Sequence, residues 1–536
     1  MARTLLIGLD SATFTLMDPF VQEGRLPFFR RCLEEGVRAV LRSTPNPLTP
    51  PAWTTLMTGV GPGVHGIYDF GRFRDRPEGP FGTLITSNDV RAETIWSMAG
   101  RQGRRLICLN FPAMFPVSRL NGLVVPGYIS ARQLRTSVYP RDLYPRLKAL
   151  PGFNPKEFTW SMEETRKSIE GVPPDDCERW IDYQANKDRS WFQIARMLMT
   201  EERWDICAVL FDGVDRIQHL CWRYLDPSLD HTLATPWERK MRELAAGYFV
   251  RLDRNMAELA ELAGPDTQIF IASDHGAGPT TEIFFANAWL AERGYLRWMP
   301  GTPTDFEDRM TAPHIFEFYK TIDWARTRAC VRSSSAAGIY IRRKWPGMDG
   351  VSPEEYPGFR AKLVDELLRY RDPHTNDTVV KGALVREEAF PGPMMEEAPD
   401  ITLVLRDGGH PSIMPSSEIV RPRKEIMGMH RPEGIFVAMG PGIRRGVELP
   451  RLEIADVAPT LLYSLGLPAL STFEGKFIAD AFEPEQLERE PLRVVDPPKS
   501  KDAAGEDRAA QAADDVMTRE DEDKVLERLR ALGYLE

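Results

Sequence analysis

The sequence predicts an α/β protein: a doubly wound, mostly parallel sheet sandwiched by helices, with inserted cap segments. Three observations carry this. Short apolar runs of strand length, among them Leu5–Leu9 and Gln268–Ala272, each break abruptly into polar residues. At least five such runs sit in strand–loop–helix units, which calls for parallel strands with crossover helices. The C-terminal tips of the runs carry Asp, Asn and His, and open α/β sheets place their chemistry there. No internal repeat of about 20–50 residues interrupts the alternation.

In order, Leu5–Leu9 is a buried first strand ending at Asp10, and Leu26–Gly36 a helix with Pro27 near its start and Gly36 past its end. Ala39–Ser43 is a second strand. The stretch from Thr44 to Trp53 holds so many prolines that it is expected to be an irregular loop. A helical pattern over Val90–Gly103 leads to the strand Arg105–Asn110. From Phe111 to about Trp204 the alternation gives way to an aromatic- and proline-rich stretch, expected to be a cap. Alternation resumes with Asp205–Asp212, then a long helix with Met241, Leu244, Ala245, Tyr248, Leu252, Met256, Leu259 and Leu262 on one core-facing stripe. Gln268–Ser273 follows. Residues 295–428 form a second expected cap, with a strand at Gly338–Arg342 and a helix at Phe359–Tyr370. Gly434–Met439 returns to the core, and helix Ile454–Leu465 stops at Gly466. The expected organisation is a body over 1–482 with caps at about 111–204 and 295–428, a flexible linker over 483–517 and an amphipathic helix over 518–536. Thr518 and Asp521 form the capping box of that last helix, which presents Val525, Leu526, Leu529 and Leu532 for docking on the body or for self-association.

At 536 residues, 42% hydrophobic and 27% charged, the chain has ordinary globular composition. A formal net charge of −10 gives no general attraction to nucleic acid or to anionic membranes, so an anionic substrate would need a local positive centre such as a metal ion. The six cysteines are scattered without a CxxC pair and read as reduced core thiols. Only Met1–Thr4 precede the first strand, too few for a signal peptide, and no run of about 18 apolar residues occurs, so a cytoplasmic protein without a membrane span is expected. Oligomeric state is left open.

Five tips or adjacent loops offer metal-type ligands: Asp10; Thr49; Asp215 with His219; Asp274 with His275; and His430. Asp215 and His219 are four apart and face the same way on a helical turn. Asp212 competes with Asp215 at a poorer spacing. A bland reading stands beside each: Asp-His-Gly is an ordinary turn, and Asp215 and His219 fit a helix N-terminus and a surface histidine.

The segments TPPAWTTLMTGVGPGVHGIYDF (49–70), DxxxH (215–219), SDHG (273–276) and GMHRPEG (428–434), with FANAWLAERGYL (285–296), EAPDITLV (397–404) and DVAPTLLYSLGLP (456–468), resemble the alkaline phosphatase superfamily. Their order and spacing are most similar to its type I phosphodiesterase/nucleotide pyrophosphatase and phosphohydrolase/phosphomutase branch, over roughly residues 3–482. The resemblance implies an alkaline phosphatase-like catalytic domain with two divalent metal ions, Zn²⁺ or Mn²⁺. Asp215, His219 and His430 would hold one ion. Asp10, Asp274 and His275 would hold the other, with Thr49 as a further ligand and the nucleophile. A neutral threonine hydroxyl is a poor nucleophile, and two ions about 4 Å apart could activate it and clamp the attacking and leaving oxygens. The implied activity is hydrolysis of a small phosphodiester or phosphomonoester through phospho-Thr49. The alternatives are a phosphomutase using the same phosphothreonine, or a metal-stabilised binding protein without catalysis.

Thr44, Thr54 and Thr55 rival Thr49, which the motif favours by its placement two residues before Pro51. Nucleotide pyrophosphatases carry an Asn after HGIxD that binds a phosphate oxygen, and this chain has Phe70. Asn110 could replace that Asn or could simply cap its strand. Trp53, Phe70 and Tyr128 could form an aromatic wall or pack in the core. No Cys- or Ser-x-Pro-x-Arg element of a sulfatase is present. His65 is expected in a turn or supporting role, and His231, His314, His374 and His410, which lack a partner at ligand spacing, at the surface or in structural roles.

Overall fold

The computed structural model describes residues 3–130, 133–159, 167, 172–304 and 318–498. A nine-stranded sheet forms the centre. From one edge it runs Val447–Glu448, Gly36–Arg42, Glu433–Met439, Thr267–Ala272, Arg3–Leu9, Ile206–Phe211, Leu106–Leu109 and Gly122–Val125, with Leu452–Glu453 also on Gly36–Arg42. The strands are parallel except Glu433–Met439, which runs antiparallel to both neighbours. The fold is thus the mostly parallel α/β sandwich expected. The pleat sends alternate residues to opposite faces. Leu5, Ile7 and Leu9 enter one apolar core with Phe28, Trp191, Met241 and Leu252. Leu6, Ala208 and Leu210 enter the other with Trp53, Ile95 and Leu461. Two helices of 28 residues, Pro174–Glu201 and Pro236–Ala263, cover the first face. The expected stripe on the second of these is buried, save Leu244, which is partly buried, and Leu262 at its end, which is exposed.

Three expectations are corrected. The proline-rich stretch is not all loop, because Thr49–Thr58 is an α-helix. Pro50 and Pro51 fall in its first turn, where the missing N–H groups would have had no intrahelical partner and the fixed φ suits a helix. The first cap is smaller than 111–204. Gly122–Val125 pairs with Leu106–Leu109 as the sheet's edge strand, and Pro174–Glu201 packs on the sheet. An edge strand of four residues is too short for its periodicity to stand out. The linker does not begin at 483, since Pro484–Arg489 is helical and Val494–Val495 pairs with Ala469–Leu470. Of the two readings left open for Trp53, core packing is the one found: it is fully buried, edge-on against Phe111. The helix expected over 518–536 lies outside the described residues, as do most of the linker and His314.

The second cap has its own core, with Phe318, Trp324 and Leu363, and its own antiparallel sheet, ordered Ala329–Val331, Gly338–Ile341, Ile401–Leu405, Val380–Val385. It returns through Val420–Arg431, which pairs antiparallel with Gly276–Phe284. That pairing matters for the site, because it sets His430 opposite Ala277, beside the tip of the central strand. Among the described residues no helix is long and apolar enough to cross a membrane.

Candidate functional site

The sheet delivers the first group of candidate ligands directly. Asp10 follows the strand Arg3–Leu9, and Asp274 and His275 follow its neighbour Thr267–Ala272. All three are essentially without solvent access. Asp274 Oδ1 accepts from the Ser11 N–H at 3.0 Å, and Asp10 Oδ2 accepts from Tyr128 Oη at 2.9 Å. Each carboxylate thereby keeps one oxygen, Asp10 Oδ1 and Asp274 Oδ2, buried without a hydrogen-bond partner. Both face His275 Nε2, at 3.7 and 3.2 Å. Thr49, at the first turn of its helix, places Oγ1 3.5 Å from the same nitrogen.

The second group comes from two other elements. Helix Gly213–Leu225 carries Asp215 and His219, and the hairpin strand Val420–Arg431 carries His430. Asp215 Oδ1 lies 3.2 Å from His219 Nε2 and 3.3 Å from His430 Nε2, again without a hydrogen bond. The two Nε2 atoms are 3.1 Å apart. His219 Nδ1 is 2.7 Å from Gly428 O, His430 Nδ1 is 2.9 Å from Pro47 O, and His275 Nδ1 is 3.1 Å from Gly276 O. A carbonyl only accepts, so each Nδ1 bears the proton and each Nε2 turns a lone pair into the centre. Three imidazole lone pairs and three unsatisfied carboxylate oxygens converging in a buried space repel one another unless a cation sits among them. The residues therefore fit divalent metal ions. The ligand atoms of Asp10, Asp274 and His275 lie within 4.8 Å of one another, as do those of Asp215, His275 and His430. His275 thus borders both groups, and its ring stacks on His430 at 3.9 Å.

Protonation preferences follow from this crowding. Burial, and then the charges of Asp274 and Asp215, raise the Asp10 carboxyl well above its usual range. Burial does the same to Asp274. Burial, reinforced by His430, holds His275 far below the usual imidazole value. For Asp215 burial pushes upward, but the imidazoles of His219 and His430 outweigh it and keep the carboxyl well below its usual range.

The other candidates separate clearly. Thr44 Oγ1 is bonded to Asn46 O and Thr55 Oγ1 to Pro51 O, and of the threonines in this stretch Thr49 is the one that reaches the ligands. Asp212 is occupied by Asn110 and by Lys187 at 3.6 Å. Asn110 Nδ2 donates to Leu210 O at 2.9 Å and to Asp212 Oδ1 at 3.1 Å; these bonds support the capping role of the two left open. Phe70 packs 6.0 Å from the ring of Tyr128, whose hydroxyl donates to Asp10. His65 is a turn residue, with Nδ1 accepting from Ile67 N–H and Nε2 2.9 Å from Thr55 Oγ1. His410 is the unexpected member. Its ring meets His430 edge-on at 4.9 Å, and no short-range spacing announces it, because the two residues meet only through the cap's return to the sheet.

Buried carboxylate and imidazole donors converging at the strand tips of this sheet define a metal-dependent α/β enzyme. The family profile "Type I phosphodiesterase / nucleotide pyrophosphatase" matches residues 4–432, and the chain belongs to that family of metal-dependent phosphoryl hydrolases. No curated protein matches the sequence. Solved structures of similar fold include phosphonoacetate hydrolase from Sinorhizobium meliloti 1021 with phosphonoformate, at 17% identity and TM-score 0.53, covering 87% of this chain and 95% of that one. They also include murine ectonucleotide pyrophosphatase/phosphodiesterase 5, an inactive variant with AMP, and the human protein of that name, each at 14% identity and TM-score 0.50, covering 90% of this chain and 100% of theirs.

Proposed function

We propose that the protein hydrolyses a small phosphodiester or phosphomonoester by a two-metal mechanism through a phospho-Thr49 intermediate. The observation that supports this is the set of unpartnered oxygens, Asp10 Oδ1, Asp215 Oδ1 and Asp274 Oδ2, facing imidazole nitrogens whose lone pairs are turned inward. Asp10, Asp274 and His275 would hold one ion, with Thr49 beside them, and Asp215, His219 and His430 the other. Mixed His and Asp donors suit Zn²⁺, with Mn²⁺ as the second choice. Such ions supply Lewis acidity, favouring the ionised threonine hydroxyl and offsetting the charge of the phosphoryl oxygens.

The chain's own contribution is position. Thr49 is fixed by the first helical turn, at the positive end of the helix dipole. Its Oγ1 bonds to phosphorus as the ester P–O bond breaks, its proton passes to solvent, and the departing alkoxide takes up a proton. Water then attacks the phosphothreonine, the Oγ1–P bond breaks and phosphate leaves. Phe70, in place of the amide found in nucleotide pyrophosphatases, gives the substrate a flat apolar wall rather than a donor.

The test is turnover of a chromogenic phosphodiester and monoester by zinc-loaded protein and by Thr49→Ala. The expected result is turnover of one or both esters with release of free phosphate, lowered about 1,000-fold or more in the variant. An isomerised phosphate ester as product would make the protein a phosphomutase. No turnover of either ester by metal-loaded wild type would remove the hydrolase reading.

A further inference from the structure

Tyr128 reaches the strand-tip ligands from the edge of the central sheet. It follows the edge strand Gly122–Val125, which lies three strands from Arg3–Leu9, the strand that ends at Asp10. A spacing of about 4.8 Å between neighbours sets those two strands about 14 Å apart. Two local features bring the residue across. Gly127 passes the tip of Leu106–Leu109 so closely that a Cβ there would fall 2.2 Å from Asn110 O. Its N–H donates to Phe111 O at 3.1 Å, which fixes the crossing. Tyr128 then takes φ +57°, in the left-handed region that residues other than glycine seldom occupy. Strain of this kind beside a site points to a task for the side chain.

That side chain ends on Asp10. Tyr128 Oη donates to Asp10 Oδ2 at 2.9 Å, while Asp10 Oδ1 stays buried without a hydrogen-bond partner, 3.7 Å from His275 Nε2. The two oxygens of one carboxylate thus have different surroundings. In Asp274 the same division is made by the main chain: Oδ1 accepts from the Ser11 N–H at 3.0 Å, and Oδ2 is left over. Asp10 owes it instead to a side chain 118 residues further along. The strand fixes where Asp10 sits, and the hydroxyl fixes which of its oxygens is turned toward His275.

We propose that Tyr128 is a positioning residue: its hydroxyl holds Asp10 Oδ2, so that Asp10 presents Oδ1 alone to the metal ion of the strand-tip group. The inference rests on the two-metal reading above. The test titrates metal-free wild type, Tyr128→Phe and Tyr128→Asn with Zn²⁺ in competition with a chelator. The Co²⁺ absorption spectrum and the thermal unfolding of the metal-free proteins are recorded on the same samples. Tyr128→Phe keeps the ring and removes the hydroxyl, whereas Tyr128→Asn suits the left-handed backbone and is too short to reach Asp10. The expected result in both variants is one class of zinc site weakened about 10–100-fold and the other unchanged. The Co²⁺ spectrum of the weakened site should change too, because the released Oδ2 is then free to join the ligands. Unchanged affinities in Tyr128→Phe, or an unchanged Co²⁺ spectrum, would overturn the assignment while leaving the metal centre intact. Equal weakening of both classes, with a lowered unfolding temperature, would make Tyr128 a packing residue and overturn it as well. Failure of wild type to bind zinc would overturn both readings, because no ion would then exist for Asp10 to meet.

Discussion

The two candidate ligand groups are built on opposite structural logics. Asp10, Asp274 and His275 grow from the tips of two adjacent central strands, paired over six residues and 0–1% exposed. Asp215, His219 and His430 come from a helix and a hairpin docked on the sheet, and are 5–7% exposed. The first group is positioned by the backbone ladder that also forms the core, so it cannot shift without breaking the sheet. The second depends on side-chain and carbonyl contacts between two elements, chiefly His219 Nδ1 donating to Gly428 O at 2.7 Å. The strand-tip group should therefore be rigid and the helix–hairpin group adjustable.

The largest expected effect breaks the rigid side. Asp274→Asn keeps the bond from Ser11 but replaces the unpartnered carboxylate oxygen with a neutral group. Loss of an outer partner costs about 10–100-fold in metal affinity, and loss of a direct ligand should exceed that. Metal analysis should show depletion together with loss of turnover, and undiminished metal would remove Asp274 from the ligand set. Gly428→Ala attacks the adjustable side. An added Cβ would sit 2.2 Å from Gln218 O, forcing helix and hairpin apart. Overpacking of this kind costs about 1–3 kcal/mol. Metal affinity should fall about 10–100-fold through loss of the His219 acceptor, with one class of site retained on titration. Equal loss at both sites would erase the distinction between the groups.

The same contrast explains what could be read from the sequence. Asp10 and Asp274-His275 were legible because a buried strand ending in a polar tip is a local pattern, and Asp215 with His219 because four residues make a helical turn. The structure brings all seven candidate ligands together. The helix at Thr49–Thr58 was hidden by Pro50 and Pro51, whose effect depends on their position in the turn rather than on their number. Asn110 could not be assigned, since its partners Leu210 and Asp212 lie 100 and 102 residues away. His410 was missed for the same reason: its neighbour is supplied by the folding of the whole second cap.

The last effect, read only as a shift in unfolding temperature, concerns the support of the adjustable group. Asp188, on the long helix Pro174–Glu201, accepts from the Gly213 N–H at 3.3 Å and from the Tyr248 hydroxyl, at the start of the helix that carries Asp215 and His219. Burial, and then the charge of Asp212, push its carboxyl up to about 7. In the unfolded chain the group titrates near 4. Between these values the folded state holds the extra proton, so stability is greatest below about pH 4 and falls as pH rises toward 7. Roughly three pH units correspond to about 4 kcal/mol, an order-of-magnitude figure. Asp188→Asn cannot ionise and still accepts from Gly213. Thermal unfolding of metal-free protein should therefore show wild type losing a few degrees relative to the variant from about pH 5 to about pH 8. Parallel pH profiles would mean that Asp188 titrates normally and that its burial does not couple the support of this helix to pH.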